Sequence, residues 1–254
     1  MSMDLGIAGK RVLVTAGGRG LGRVTALAFA REGCRVAVVA RDPERLATLL
    51  EEMGGADRGH TILAADLLAS GQPERAVRAL TAAADPFEIV VHNLGGTLGV
   101  KDPLAACEDW AQVWRLNAGV AIAINGLVIP PMLVAGWGRI LHVSSNAAEH
   151  ARGAGPYAAA KAYLNTYVKG IGRSYAPAGL VIAALLPGAF ETEEGQWAKV
   201  RREHPALLED YLRQHQAIGR LGRPEEIAGF LLFLASKHAT FATAAVLTVD
   251  GGGM

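Results

Sequence analysis

Cysteine is scarce in this chain of 254 residues. There are two, Cys34 and Cys107, and neither sits at a spacing that would ligate a metal. That excludes a disulfide framework, and both read as reduced, core or near-core residues of a cytoplasmic protein. Charge of one sign is also lacking: the formal net charge is +1, so neither nucleic acid nor an anionic membrane is expected as a bulk partner. The first ten residues, Met1 to Lys10, hold no apolar core of a signal peptide. Apolar runs are broken by Asn, Gly, Pro or a charge before they reach about 18 residues, so no membrane helix is expected. What remains is 51% hydrophobic and 19% charged, enough for a sizeable core and against disorder. The length suits one large α/β domain, or less readily two small ones.

The stretch from Ser144 to Lys161 carries chemistry. An apolar run, Ile140 to Val143, delivers Ser144 and Ser145 to the end of an expected strand. A loop follows, and Pro156 and Tyr157 open an Ala-rich helix. Tyr157 and Lys161 are four apart and share one helix face. A phenol is a poor acid or base near neutrality, its free pKa being about 10. An ammonium at roughly 5 Å, in an effective dielectric of about 20, attracts the phenolate by on the order of 3 kcal/mol, about two pKa units. That suits proton transfer at a carbonyl or alcohol oxygen, with a serine hydroxyl holding the same oxygen. Tyr-x-x-x-Lys alone is a weak signal and fits an ordinary surface pair equally well.

A second stretch decides between these. Arg11 to Thr15 reads as a strand, Ala16 to Gly22 has four glycines in its last six residues, and Arg23 to Glu32 has helical spacing. Strand, glycine turn and helix in this order make an anion site, in which backbone N–H groups and the positive helix end face a phosphate. The dinucleotide pattern G-x-G-x-x-G does not fit, because its last position falls on Arg23 or Thr25. T-G-x-x-x-G-x-G does fit, with Thr15, Gly20 and Gly22 in place and Ala16 where the first glycine belongs. The Ala16 methyl is expected to be tolerated.

That spacing resembles the nucleotide motif of the short-chain dehydrogenase/reductase family. The resemblance runs over nearly the whole chain, and 3-oxoacyl-carrier-protein reductases are among the members it is similar to. It implies that Thr15, Gly17, Gly18, Arg19, Gly20, Leu21 and Gly22 hold the cofactor diphosphate. It implies further cofactor contacts at Asp66-Leu67, at Asn93 and Gly95 of His92-Asn-Leu-Gly95, and at Pro187, Gly188, Phe190 and Thr192 of a P-G-x-x-x-T run. The expected catalytic set is Asn117, Ser145, Tyr157 and Lys161. In it Lys161 lowers the tyrosine pKa and joins Tyr157 at the cofactor, and Asn117 holds a relay water. A count of residues back from Tyr157 would select Ser144 instead; strand register selects Ser145. His92 is expected to be structural.

The second strand, Cys34 to Ala40, ends in Arg41 and Asp42. A carboxylate at such a place binds the NAD ribose, whereas a basic residue accommodates the NADP phosphate. Arg19 and Arg41 together favour NADP(H), with NAD(H) the alternative if Asp42 takes the ribose. Asp42 followed by Pro43 reads better as a helix cap, and Asp66 has an equivalent second reading.

Seven strands alternating with six helices predict an α/β fold: one doubly wound Rossmann-type domain over 1–254, with a seven-stranded parallel sheet covered on both faces. A long helix is expected from Cys107, ending at Pro130-Pro131. Residues 188–217 are expected to form a substrate lid. Glu193, Glu194, Trp197, Lys199, Arg201, Arg202 and His204 there, with Glu149, His150 and Arg152 in the serine loop, are candidates to face a polar substrate. The resemblance implies an NADPH-dependent reductase of a ketone, a small-molecule substrate and a homotetramer or dimer. The alternatives are an NAD-dependent alcohol or sugar dehydrogenase and, in another class, a non-redox nucleotide-binding regulator.

Overall fold

The computed structural model describes residues 3–82, 84–150 and 153–253; Arg152 falls outside them. Seven strands, β1 (Arg11–Thr15), β2 (Arg35–Ala40), β3 (Thr61–Ala64), β4 (Ile89–His92), β5 (Gly138–Val143), β6 (Leu180–Pro187) and β7 (Val246–Val249), form one sheet in the order β3-β2-β1-β4-β5-β6-β7. Every pairing is parallel. Parallel strands need crossovers, and helices supply them on both faces. The sheet is a Rossmann-type α/β fold.

Alternation along each strand sorts the side chains between the two faces. Val12, Val14, Val36, Val38, Leu141 and Leu185 pack under α1 (Gly20–Arg31), α2 (Pro43–Met53) and the late helix Pro224–Ala235. Leu13, Ala37, Val39, Val90, Ile140 and Ile182 face the opposite layer. That layer holds α3 (Gln72–Thr81), the long helix after β4, and the helix Gly155–Tyr175. Because β1 lies between β2 and β4, successive crossovers leave it in opposite directions. The cleft at this switch point, at the carboxyl ends of the strands, is where such sheets bind ligands.

The long helix departs from expectation. α4 (Cys107–Trp114) runs through a π-helical turn, Arg115–Gly119, straight into α5 (Val120–Ala135). Pro130 and Pro131 lie inside it rather than ending it. Ile129 and Met132 are buried against the sheet, and that packing holds the last turn in spite of the lost donors. Termination comes at Gly136, in the left-handed conformation. Interruption by Gly, Asn and Pro is therefore no argument against a long apolar helix here. By length and composition Cys107–Ala135 would suit a membrane span, but it is the sheet's own crossover from β4 to β5. Cys107 is exposed, not near the core, while Cys34 is buried; both are free.

Further helices complete the chain: α6 (Ala147–His150), α7 (Gly155–Tyr175), α8 (Gln196–Glu203), α9 (Pro205–His215) and α10 (Pro224–Ala235). The serine loop thus contains a helical turn where none was expected. The 188–217 segment has a small core of its own, Val200 and Leu208 with Leu221, against which Trp197 packs. Several of its charges pair locally, Arg201 with Glu191 and Lys199 with Glu203, as on a solvated helix face. Trp197 packs against Tyr211 with the ring planes tilted, 4.2 Å between centroids.

Ala16 is less innocuous than its sequence context suggests. Its φ is +54°, in the left-handed region where an L side chain costs roughly 1–2 kcal/mol. A glycine there would relieve this, less roughly 0.4–1 kcal/mol from the greater freedom of the unfolded chain. Ala16→Gly is expected to raise the melting temperature by about 2 °C; calorimetry of the two proteins checks it, and a lower value would contradict the strain.

Candidate active site

The glycine turn leaves β1 and enters α1 with Arg19 as the cap residue. No side chain caps this end and no acidic residue occupies its first turn, so its amide donors and positive pole are available to an anion. The absent side chains matter at two positions. A Cβ on Gly17 would stand 2.5 Å from the Val38 side chain, and one on Gly22 would stand 2.4 Å from Asn93 Nδ2. The turn is pressed against β2 and β4, and only glycine permits it.

Thr15 ties the first and fourth strands at their ends. Its hydroxyl accepts from the backbone N–H of Asn93 at 3.0 Å and of Leu94 at 3.2 Å. Asn93 Nδ2 donates to the Ala16 carbonyl at 3.2 Å. These bonds hold the loop after β4 beside the glycine turn, with Gly95 next in line. A Cβ at Gly95 would meet Asn117 Oδ1 at 2.8 Å and Lys161 Nζ at 2.9 Å. The glycine therefore leaves room for the lysine head.

Asn117 sits in the π-helical turn, where the ladder is open to a side chain. It donates to the Gly96 carbonyl and to the Val113 carbonyl, both at 2.8 Å, and accepts from the Gly96 N–H at 3.0 Å. It clamps the loop after β4 to the helix, as a buried asparagine bonded to backbone does.

The serine ambiguity is resolved by direction. Ser144 is buried and turns back, its hydroxyl donating to the Lys161 carbonyl at 3.4 Å. Ser145 bonds to the Tyr157 hydroxyl, so Ser145 is the serine that reaches the phenol. Tyr157 and Lys161 lie on one face of α7, as their spacing requires, with Lys161 Nζ 5.7 Å from the Tyr157 ring centre.

Their electrostatics differ from expectation. Lys161 is 2% exposed, and desolvation takes its ammonium down to about 7. Nζ donates to the Val143 carbonyl at 2.7 Å. Burial raises the Tyr157 phenol above its ordinary value, an effect partly offset by the Ser145 hydrogen bond. Lys161 does not pull the phenol down here: its own charge is half lost near neutrality, and its proton points at a carbonyl.

Other expected residues resolve as follows. Asp42 is the N-cap of α2, accepting from the N–H groups of Glu44 at 3.0 Å and Arg45 at 3.1 Å. It also takes Arg45 Nε at 3.0 Å, so it is engaged rather than open to a ribose. Asp66 closes a turn by accepting from Leu68 N–H, while Leu67 is in the core and offers only its backbone. Gly188 is pressed against Asp250, and Phe190 pairs with Gly222 while packing on the core. Pro187 ends β6. Thr192 stands across from the glycine turn, its Cγ2 3.6 Å from where a Gly20 Cβ would be. His92 is buried, bonded to Asn125 at 2.8 Å and stacked on His142; burial takes it down to about 4, which makes it structural. Glu149 accepts from Thr248 on β7, and His150 is exposed. Among the described residues no group of His, Cys, Asp and Glu is placed to hold a metal ion.

The cations do not gather as expected. Arg41 is exposed and, among the described residues, pairs with no carboxylate. Arg19 shares Glu194 with Arg45, a residue that no motif in the sequence marks. Its one signal was position, in the first turn of the helix that follows β2.

Residues 15–253 match a family profile described as enoyl-(acyl carrier protein) reductase. The chain belongs to this family, the short-chain dehydrogenases/reductases. An uncharacterised oxidoreductase of Mycobacterium tuberculosis is 33% identical to it over 96% of this chain and 91% of its own length. A 3-oxoacyl (acyl-carrier-protein) reductase from Agrobacterium tumefaciens, solved with NADP bound, superposes with a TM-score of 0.91 at 28% identity, over 99% of this chain and 98% of its own. L-sorbose reductase from Gluconobacter frateurii, solved with NADPH and L-sorbose, gives a TM-score of 0.90 at 27% identity over 99% and 98%. This family acts on alcohol and carbonyl groups, and the chain is an oxidoreductase of that kind.

The buried lysine sets a pH dependence of stability. Its folded pKa of about 7 lies below the unfolded value near 10.4. Between these the unfolded state binds more protons, so this group makes stability rise with pH above about 7. Urea denaturation at pH 7 and 8.5 is expected to show this rise relative to Lys161→Met; parallel curves would contradict the assignment.

Proposed function

We propose that this chain is an NADPH-dependent reductase of a ketone, acting through Tyr157. The observation that carries the reading is the hydrogen-bonded Ser145–Tyr157 pair beside the buried Lys161, at the carboxyl ends of the central strands. The whole chain serves as one nucleotide-binding unit, with residues 188–217 as its substrate lid.

The residues suit a nicotinamide dinucleotide. The uncapped start of α1 and the close-packed glycines would take the diphosphate. Arg19, Arg41 and Arg45 would meet a 2′-phosphate, a task for guanidinium groups. Asp42 is occupied as a cap, which argues against the NAD alternative. When bound, the nicotinamide supplies the hydride. Tyr157, whose raised pKa keeps the phenol protonated at neutral pH, donates its proton to the carbonyl oxygen. Ser145 bonds the same oxygen as it gains charge. Lys161, buried beside the phenol, would hold the nicotinamide ribose, and Asn117 holds the loop that lines this point.

The substrate reading is a 3-oxoacyl thioester, with a sugar ketone second; the two solved relatives name one of each. We also propose a homotetramer or dimer packed through the long helix and α7. Trp114 and Tyr163 are both exposed there and meet edge to face at 5.6 Å. With both thiols free, we place the protein in the cytoplasm.

Tyr157→Phe is expected to lose at least about a thousandfold in turnover while NADPH binding, read by fluorescence titration, stays intact. An acetoacetyl thioester and L-sorbose serve as the test ketones. Normal turnover of the variant would remove the catalytic assignment, and tighter binding of NADH than NADPH by the native protein would remove the cofactor choice.

A further inference from the structure

Glu194 reaches out of the 188–217 segment to the cofactor side of the cleft. Its carboxylate accepts two bonds from Arg45, at 2.8 and 2.9 Å, and one from Arg19 at 3.4 Å. The partners stand 149 and 175 residues away in sequence. Arg19 caps α1 at the glycine turn, and Arg45 lies in the first turn of α2. Both helices start from adjacent strands, β1 and β2. Beside this contact Thr192 lies against Gly20, so residues 192–194 lean on the glycine turn.

A carboxylate held by both terminal nitrogens of one guanidinium uses the same fork that a phosphate uses. Arg45 is also oriented by a second bond, Nε to Asp42, that does not involve Glu194. The cluster is about half exposed, with side-chain exposures of 41% for Arg45, 51% for Glu194 and 64% for Arg19. Exposed pairs of this kind are weak. A phosphate dianion carries more charge and one more acceptor oxygen than a carboxylate, and it would displace Glu194 rather than be excluded by it.

We propose that Arg45 is a specificity-determining ligand for the cofactor 2′-phosphate, and that Glu194 is an internal competitor that the phosphate displaces from Arg45 and Arg19. This rests on the NADPH reading above. Exchange of one anion for another then couples the choice of cofactor to the position of the segment over the substrate. NADH carries no group that displaces Glu194, so the carboxylate stays paired when NADH is present.

The test is equilibrium titration of native protein, Glu194→Gln and Arg45→Met with NADPH and with NADH. Glu194→Gln is expected to bind NADPH about fivefold more tightly and NADH unchanged. Arg45→Met is expected to lose roughly tenfold in NADPH affinity and none for NADH. In the double variant the gain from Glu194→Gln is expected to shrink, because its main partner is gone. The decisive quantity is the change for NADPH divided by the change for NADH. A ratio near one in Glu194→Gln, whether both affinities move or neither does, overturns the proposal, as does an equal loss for both cofactors in Arg45→Met. The native preference is a separate readout. If the native protein prefers NADH while Glu194→Gln still gains only for NADPH, the competitor stands and the NADPH reading falls.

Discussion

A primary amine with almost no access to water, Lys161, is held at the end of β5 by one hydrogen bond to the Val143 carbonyl. Burying that amine costs on the order of a few kcal/mol, which its depressed pKa records. Much of the surrounding structure accommodates it. Gly95 lacks the Cβ that would strike it, and Asn117 clamps the loop carrying Gly95. That asparagine sits in the π-helical turn and bonds to Gly96 and Val113. Thr15 and Asn93 then tie the same loop to the glycine turn. A change to any of these alters where the lysine head can stand, and with it the surroundings of Tyr157.

The same cleft is closed from the far side by charge. Glu194 and Thr192 lean on the turn that begins α1, while α8 and α9 keep a small core apart from the main sheet. The main layers are held by burial of aliphatic side chains, which is strong and does not depend on direction. The contact across the cleft is a set of exposed ion pairs, which are weak and salt-sensitive. A ligand can therefore rearrange the second without disturbing the first.

Most of the architecture was legible in the residues. Strand β1 falls where the apolar run placed it, β2 starts one residue later, and the run Ile140 to Val143 is the end of β5. The alternation of side chains between the two covered faces is forced by the period of a strand, and the Tyr157–Lys161 face by the period of a helix. Asp42 before Pro43 gave the start of α2 for the same local reason. Where local reasoning failed, a distant contact had won. Pro130 and Pro131 should end a helix, yet Ile129 and Met132 pin the last turn to the sheet. Ala16 looked harmless until its backbone proved left-handed. Cys107, expected in or near the core, stands in solvent.

Spacing by itself thus put the glycine turn between β1 and α1 and Tyr157 and Lys161 on one helix face, while the resemblance to the family pointed to Asn93, Asn117 and a serine at the end of β5. Spacing could do so because helix and strand periods and turn chemistry act over a few residues. Three matters were left to the tertiary structure. Ser145 rather than Ser144 meets the phenol, because strand twist and helix packing set the direction of each hydroxyl. Lys161 loses proton affinity instead of lowering that of Tyr157, because burial is a property of the packed layers and not of an i, i+4 interval. Arg45 joins Arg19 through Glu194, because a contact across more than a hundred residues depends on how the 188–217 segment lies over the glycine turn, and no local pattern encodes it.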